Sequence, residues 1–157
     1  MARSIEEILQ DVRIDEIPLK SPIRAAPETS LKEAYALLEA SPHGAILVCE
    51  EDGLRGIFSE RDVLYRTALE ELDPATPIGD LMTPDPVSVA ADERVSEAIR
   101  MMTELGYRHL PLMDGDGCCE WLLASRDVLR FVADHFPEAV LNLPPRLHQR
   151  MLRPEGG

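Results

Sequence analysis

Gly56-Ile57-Phe58-Ser59-Glu60-Arg61-Asp62-Val63-Leu64 and Trp121-Leu122-Leu123-Ala124-Ser125-Arg126-Asp127-Val128-Leu129 are one stretch written twice. In each copy an apolar run with strand character meets a polar start, an Arg-Asp pair and two aliphatic residues, which reads as a strand running directly into a helix. Working outward, a shift of 64 lays residues 14–53 over residues 78–117. Ile14, Pro22, Ala26, Glu33, Ala34, Asp52 and Gly53 then fall on Ile78, Pro86, Ala90, Glu97, Ala98, Asp116 and Gly117. With one inserted residue the shift becomes 65, and Arg61-Asp62-Val63-Leu64 falls on Arg126-Asp127-Val128-Leu129. Two such units are expected to pack about a pseudo-twofold axis, leaving a cleft between them where a small ligand can sit.

Each unit reads in the same order. Ile23-Arg24-Ala25 is a short strand; Ser30 caps a helix that carries Leu31, Ala34, Tyr35, Leu37 and Leu38 toward a core, and Ser41-Pro42 ends it. Ala45 to Cys49 is a continuous apolar run, Glu50-Glu51-Asp52-Gly53 is a hairpin turn, Leu54 to Phe58 returns, and a helix runs from Ser59 to about Leu72. The second unit gives a strand at Val87-Ser88-Val89, a helix through Val95, Ala98, Ile99 and Met102, strands at His109 to Met113 and Glu120 to Leu123, and a helix from Ser125 to His135. Ahead of both, Ser4 and Glu7 form a capping box, and Ile5, Ile8, Leu9 and Val12 share a face, so a short amphipathic helix docks on the module or on a second subunit.

The expected fold is α+β, with two β-α-β-β-α repeats, a short N-terminal helix and a C-terminal tail. The expected division is an N-terminal helix at 1–15, the first repeat at 16–72, a linker at 73–77, the second repeat at 78–136 and the tail at 137–157. The linker is too short for independent domains. In the tail, Leu147, Met151 and Leu152 alternate with Arg146, His148, Arg150 and Arg153, and both a helix packed on a partner subunit and a mobile tail stay open.

Composition narrows the function. With 29 acidic against 16 basic residues the formal charge is −13, which repels phosphate backbones and anionic membranes, so an anionic ligand needs a local cluster of arginines. All basic residues but Lys20 and Lys32 are arginine, the residue suited to bidentate phosphate contacts. Cys49, Cys118 and Cys119 make no Cys-x-x-Cys pair and are odd in number, and His43, His109, His135 and His148 have no metal spacing, so neither a disulfide framework nor a metal site is expected. No apolar run approaches the ~20 residues that span a bilayer. A reducing, cytoplasmic setting is the expectation.

Ser59-Glu60-Arg61-Asp62 and Ala124-Ser125-Arg126-Asp127 carry the chemistry. Free N–H groups and the positive dipole end at a helix start favour an anion, an Arg there adds a charged donor, and an Asp one turn in can accept from two vicinal hydroxyls such as ribose presents. Ser-x-x-Asp is also a plain capping box, so what gives it weight is that a helix start with the same Arg-Asp pair closes both units at the same point. There is no Gly-x-Ser-x-Gly, Cys-His pair or Gly-rich phosphate loop, so an enzyme is not expected.

Further stretches agree: Leu81-Met82-Thr83-Pro84-Asp85-Pro86-Val87-Ser88-Val89, Glu97-Ala98 and Arg108-His109-Leu110-Pro111-Leu112. Together with Gly56 to Leu64 they make the chain resemble a tandem of CBS domains, the regulatory Bateman module, over residues 14–135. The resemblance implies a non-catalytic, energy-sensing type of module that binds AMP, ADP, ATP or S-adenosylmethionine and signals to an effector protein, commonly as a homodimer.

Carried over residue by residue, the resemblance implies a main site of Ser59, Arg61 and Asp62 with Thr83, Val87, Tyr107 and Arg108. Asp62 would take ribose, Val87 and Tyr107 would flank the base, and Arg61 and Arg108 would face phosphate. It implies a second, weaker site of Asp127 and Arg126 with Ile23, His43 and Gly44. That site departs from the pattern, since Ala124 replaces the hydroxyl residue and Trp121 replaces Gly56; Leu47 also stands where the second unit has Pro111. The alternative is a CBS dimerisation scaffold with no ligand.

Overall fold

A computed structural model describes residues 3–67, 69–116 and 118–137, so the tail residues Leu147, Met151, Leu152, Arg146, His148, Arg150 and Arg153 lie outside the described residues. The chain runs α1 (Ile5–Asp11), β1 (Ile23–Ala25), α2 (Leu31–Ala40), β2 (Ala45–Glu50), β3 (Gly53–Ser59), α3 (Glu60–Thr67), β4 (Thr83–Pro84), β5 (Val89–Ala90), α4 (Val95–Leu105), β6 (His109–Met113), β7 (Cys119–Ala124) and α5 (Ser125–His135). Helix starts follow the local chemistry. Ser4 with Glu7 and Ser30 with Glu33 close reciprocal capping boxes, satisfying two N–H groups at each start.

In each unit a parallel strand joins an antiparallel hairpin: β1-β2-β3 and β5-β6-β7. Both hairpins are irregular at the same place, between Val48 and Cys49 and between Leu112 and Met113, positions 64 apart. Ala45, Leu47 and Ile57 of the first sheet pack against Cys119 and Leu122 of the second, so the units meet sheet to sheet.

The units also exchange their leading segments. Ile14, at the start of a 3-10 turn, is fully buried, but among Val95, Ala98, Leu110, Leu112 and Leu123 of the second unit. Its counterpart Ile78 is buried among Leu31, Ala34, Leu38, Ile46 and Phe58 of the first. The backbone repeats the exchange: Ile14 N–H donates to the Glu93 carbonyl and Asp15 N–H to Ala91, while Ile78 N–H donates to Thr29 and Gly79 N–H to Pro27. Each buried isoleucine contributes about 1.5–3 kcal/mol through the other unit's core, so neither unit's core is complete alone. Helix α1 packs against α4, with Leu9 and Val12 against that second core.

The symmetry breaks at one strand. β4, from the second unit's leading segment, pairs with β3 through Gly56↔Pro84 and Ile57↔Thr83, so the first sheet has four strands and the second three. A Cβ on Gly56 would stand 2.4 Å from Met82 Sδ and 2.7 Å from the Thr83 carbonyl oxygen. At the equivalent place β7 carries Trp121, 37% exposed, and residues 18–22 form no matching strand.

Two expected boundaries are corrected. Helix α3 ends at Thr67 rather than near Leu72, because Glu70 and Glu71 would put negative charge at the negative end of the helix dipole. The strand expected from Val87 begins only at Val89, after Pro86, which has no N–H to give a sheet.

Candidate functional site

Both strand-to-helix corners open on one cleft of about 870 Å³ between the units. Ser59, Arg61, Asp62, Thr83, Val87, Tyr107 and Arg108 all line it. Ser59 ends β3, Arg61 and Asp62 lie in the first turn of α3, and β4 holds Thr83 beside them. Tyr107 and Arg108 follow Gly106, which ends α4 at φ 71, a left-handed turn that a Cβ would strain.

Asp62 is the most connected of these residues. Its Oδ2 accepts from Ser59 N–H at 2.8 Å and Ser59 Oγ at 2.9 Å, and its Oδ1 accepts from Thr83 Oγ1 at 3.2 Å. Asp62 N–H donates to Ser59 Oγ at 3.3 Å, completing the cap. A carboxylate offers about four acceptor positions, so roughly one stays open. The Thr83 bond joins the first unit's motif to the second unit's leading segment, which lies beside it in the same sheet.

The second motif is built differently. Ala124 has no hydroxyl, so Asp127 Oδ2 accepts only the Ala124 N–H, at 2.8 Å, and the carboxylate is 7% exposed. It faces His43, with Oδ2 4.0 Å from Nε2. His43 is 1% exposed, and neither ring nitrogen has a hydrogen-bond partner. Burial holds the His43 pKa below its ordinary value, with Asp127 opposing, and burial also lowers that of His109, against its hydrogen bond to His43.

The His43 carbonyl ties the two units together. It accepts from His109 Nε2 at 2.8 Å, in the tautomer that carries that proton, and from Arg126 Nη2 at 3.1 Å. Within each unit the corner backbone is fixed in the same way: Glu60 N–H donates to the Gly44 carbonyl and Ser125 N–H to the Arg108 carbonyl. Gly44, at φ 66, leaves room for Arg126, since a Cβ would stand 3.2 Å from Nη2.

Of the five residues expected for a second site, His43, Gly44, Arg126 and Asp127 are neighbours, and Ile23 stands apart. His43, Gly44 and Arg126 line the same cleft as the main set; Ile23 and Asp127 do not. Ile23 lies in β1 opposite Ile46 and packs on the first core, and Asp127 is turned inward to cap α5. Sequence reasoning missed Arg66, Glu60 and Pro86, which also line the cleft. Arg66 was findable: it follows Asp62 by four residues, one helical turn on the same face. Among the described residues no group of three or more His, Cys, Asp or Glu is placed to hold a metal, and no helix is long and apolar enough to cross a membrane.

An uncharacterized protein of Methanopyrus kandleri is 28% identical over 124 residues, covering 78% of this chain and 63% of the relative. The chain spans 63%, 17% and 64% of the lengths of three curated relatives. A CBS domain protein from Pyrobaculum aerophilum, solved complexed with AMP, shares the fold at a TM-score of 0.70 and 22% identity, over 83% of this chain and 95% of that one. A CBS domain pair solved with 5-methylthioadenosine and S-adenosyl-L-methionine does so at 0.68 and 23% identity, over 76% of this chain and 98% of that one. The CBS domain profile matches residues 14–68 and again residues 78–134. Duplicated corners, exchanged cores and both profile matches agree: the chain belongs to the CBS domain family and carries two CBS domains in tandem.

Proposed function

We propose that the chain is a non-catalytic regulatory module that binds an adenosine nucleotide in the cleft between its two repeats and signals to a partner protein, in the manner of an energy sensor. The observation that carries this reading is that Ser59, Arg61, Asp62, Thr83, Val87, Tyr107 and Arg108, drawn from both repeats, line one cleft. Proteins of the same fold solved with AMP and with S-adenosyl-L-methionine support the ligand class. Asp62 receives the ribose hydroxyls, Val87 and Tyr107 flank the base, and Arg61 and Arg108 meet phosphate. A ligand touching both repeats favours one angle between them, and only that differential preference is needed for coupling.

The output goes to another polypeptide, in a cytoplasmic setting. Leu64 and its counterpart Leu129 are exposed on α3 and α5, with Tyr65 beside Leu64, and this apolar face is where a second copy packs to form a homodimer.

A scaffold with no ligand is the second reading, favoured by one observation: Ser59 and Thr83 already satisfy most of the Asp62 carboxylate within the fold. Thermal unfolding against AMP, ADP, ATP, S-adenosylmethionine and a 2′-deoxy control separates the two. Ligand at about 100 times its dissociation constant adds ~2.7 kcal/mol, a rise of roughly 5–10 °C at this size. A rise with a ribonucleotide that Asp62→Ala removes supports the sensor. Flat curves with every compound leave the scaffold.

A further inference from the structure

The cleft gathers positive charge without carboxylate partners on an acidic chain. Arg61, Arg66, Arg108 and Arg126 all line it, against two carboxylates, Glu60 and Asp62. Elsewhere Arg3, Arg13, Arg55 and Arg100 are each ion-paired with Asp or Glu. Among the described residues none of the four cleft arginines has a carboxylate within salt-bridge distance. Arg24, Arg94 and Arg130 also lack an ion pair among the described residues, but only in the cleft do four guanidinium groups without a carboxylate partner line one space, and that concentration suits a ligand carrying several negative charges.

Their arrangement is directional. Arg61 lies over the Tyr65 ring, 5.3 Å from its centroid, at the N-terminus of α3, and Arg66 follows on the same helix. Arg108 stands at the entry to β6. Arg126 lies at the N-terminus of α5, its Nη1 and Nη2 directed to the Pro42 and His43 carbonyls. Without a hydroxyl at Ala124, the Asp127 N–H of α5 lacks an acceptor of the kind that Ser59 Oγ offers to the Asp62 N–H in α3. Beside it His43 lines the cleft, 1% exposed, with no hydrogen-bond partner on either ring nitrogen. Two helix starts and four arginines therefore border one continuous space rather than two separate sites.

The geometry points to a nucleoside di- or triphosphate as the ligand, in preference to a monophosphate or a sulfonium compound. This rests on the reading of the cleft as a nucleotide site. One nucleotide binds per chain, with its ribose at Asp62 and its phosphate chain running from Arg61 and Arg108 toward Arg126 and the start of α5. The second motif thus serves as the polyphosphate end of a shared site, which accounts for its lost hydroxyl and its inward-turned Asp127. A monophosphate reaches only the first arginines, and the positive sulfonium of S-adenosylmethionine meets guanidinium groups of its own sign.

Isothermal titration of the full chain with adenosine, AMP, ADP, ATP and S-adenosylmethionine in magnesium-free, low-salt buffer tests this. The expected result is one site per chain and an affinity for ADP or ATP at least about tenfold above that for AMP, the equivalent of one charge-assisted hydrogen bond. Arg126→Gln should lower that ADP-to-AMP preference, and Arg126→Lys should restore part of it; thermal unfolding confirms that both variants fold. AMP or S-adenosylmethionine binding as tightly as ADP and ATP overturns this inference and leaves the nucleotide reading intact, as does an unchanged preference in Arg126→Gln. No binding by any adenosine compound overturns both.

Discussion

Replacing Gly56 by alanine adds a single methyl group where two units cross. Built on the backbone, that Cβ stands 2.4 Å from Met82 Sδ, 2.9 Å from Met82 Cγ and 2.7 Å from the Thr83 carbonyl oxygen. Ordinary contacts are about 3.5–4.0 Å, so something must yield by roughly an ångström. The Met82 side chain can swing aside, but the Thr83 oxygen belongs to the backbone of β4. Displacing β4 weakens the pairs Gly56↔Pro84 and Ile57↔Thr83 and draws Thr83 Oγ1 away from Asp62. Overpacking costs about 1–3 kcal/mol and each weakened hydrogen bond up to about 1 kcal/mol more, so a total of roughly 2–4 kcal/mol is expected. At this chain length that lowers Tm by about 5–15 °C in a calorimetric or circular-dichroism melt. Met82→Ala in the same chain removes the side-chain clash and leaves the backbone one, so it should recover only part of the loss. An unchanged Tm in Gly56→Ala would show that β4 does not cross there and refute the reasoning.

Other parts of the molecule give equally direct outcomes. Ile14→Ala and Ile78→Ala should each cost about 2–5 kcal/mol, and hydrogen exchange should rise first in β6 and β7 for Ile14→Ala but in β2 and β3 for Ile78→Ala, the reverse of their places in the sequence. His43 resists protonation when folded, so the unfolded chain binds more protons below the ordinary histidine range. Its contribution to stability is therefore intact above about pH 6.5 and lost as pH falls below it, by at most about 1.4 kcal/mol per pH unit for each proton. His43→Leu should flatten the stability profile between about pH 7 and 5 relative to the wild type, and equal slopes would contradict the assignment. If the exposed Leu64 and Leu129 form the proposed face between two copies, light scattering should give a dimer mass for the unaltered chain and a monomer mass for Leu64→Glu combined with Leu129→Glu.

Much of the fold was legible because the chain states it twice. The capping boxes at Ser4 and Ser30 and the strand and helix following Arg108 stand where the pattern puts them, since caps and apolar periodicity are local signals. Which core a residue enters is not local. Ile14 and Ile78 align with each other, but alignment cannot say that each is buried in the other unit, a consequence of how the leading segments cross. The contrast between Gly56 and Trp121 was visible and read as damage to a second site, whereas its structural content is that only Gly56 admits a crossing strand. The main residue set was legible because three of its members share one helix corner. In the second set only Ile23 stands apart, because it belongs to the sheet, while the absence of a hydroxyl at Ala124 does not reveal that Asp127 turns inward toward His43.

A crystal structure of the full chain grown with saturating ADP tests the nucleotide reading most directly. The account predicts density for one nucleotide per chain between the repeats, with the ribose hydroxyls on the Asp62 carboxylate, Thr83 Oγ1 turned to make room and the phosphates among Arg61, Arg108 and Arg126. A cleft that holds no nucleotide under those conditions, with Thr83 still donating to Asp62, would contradict it.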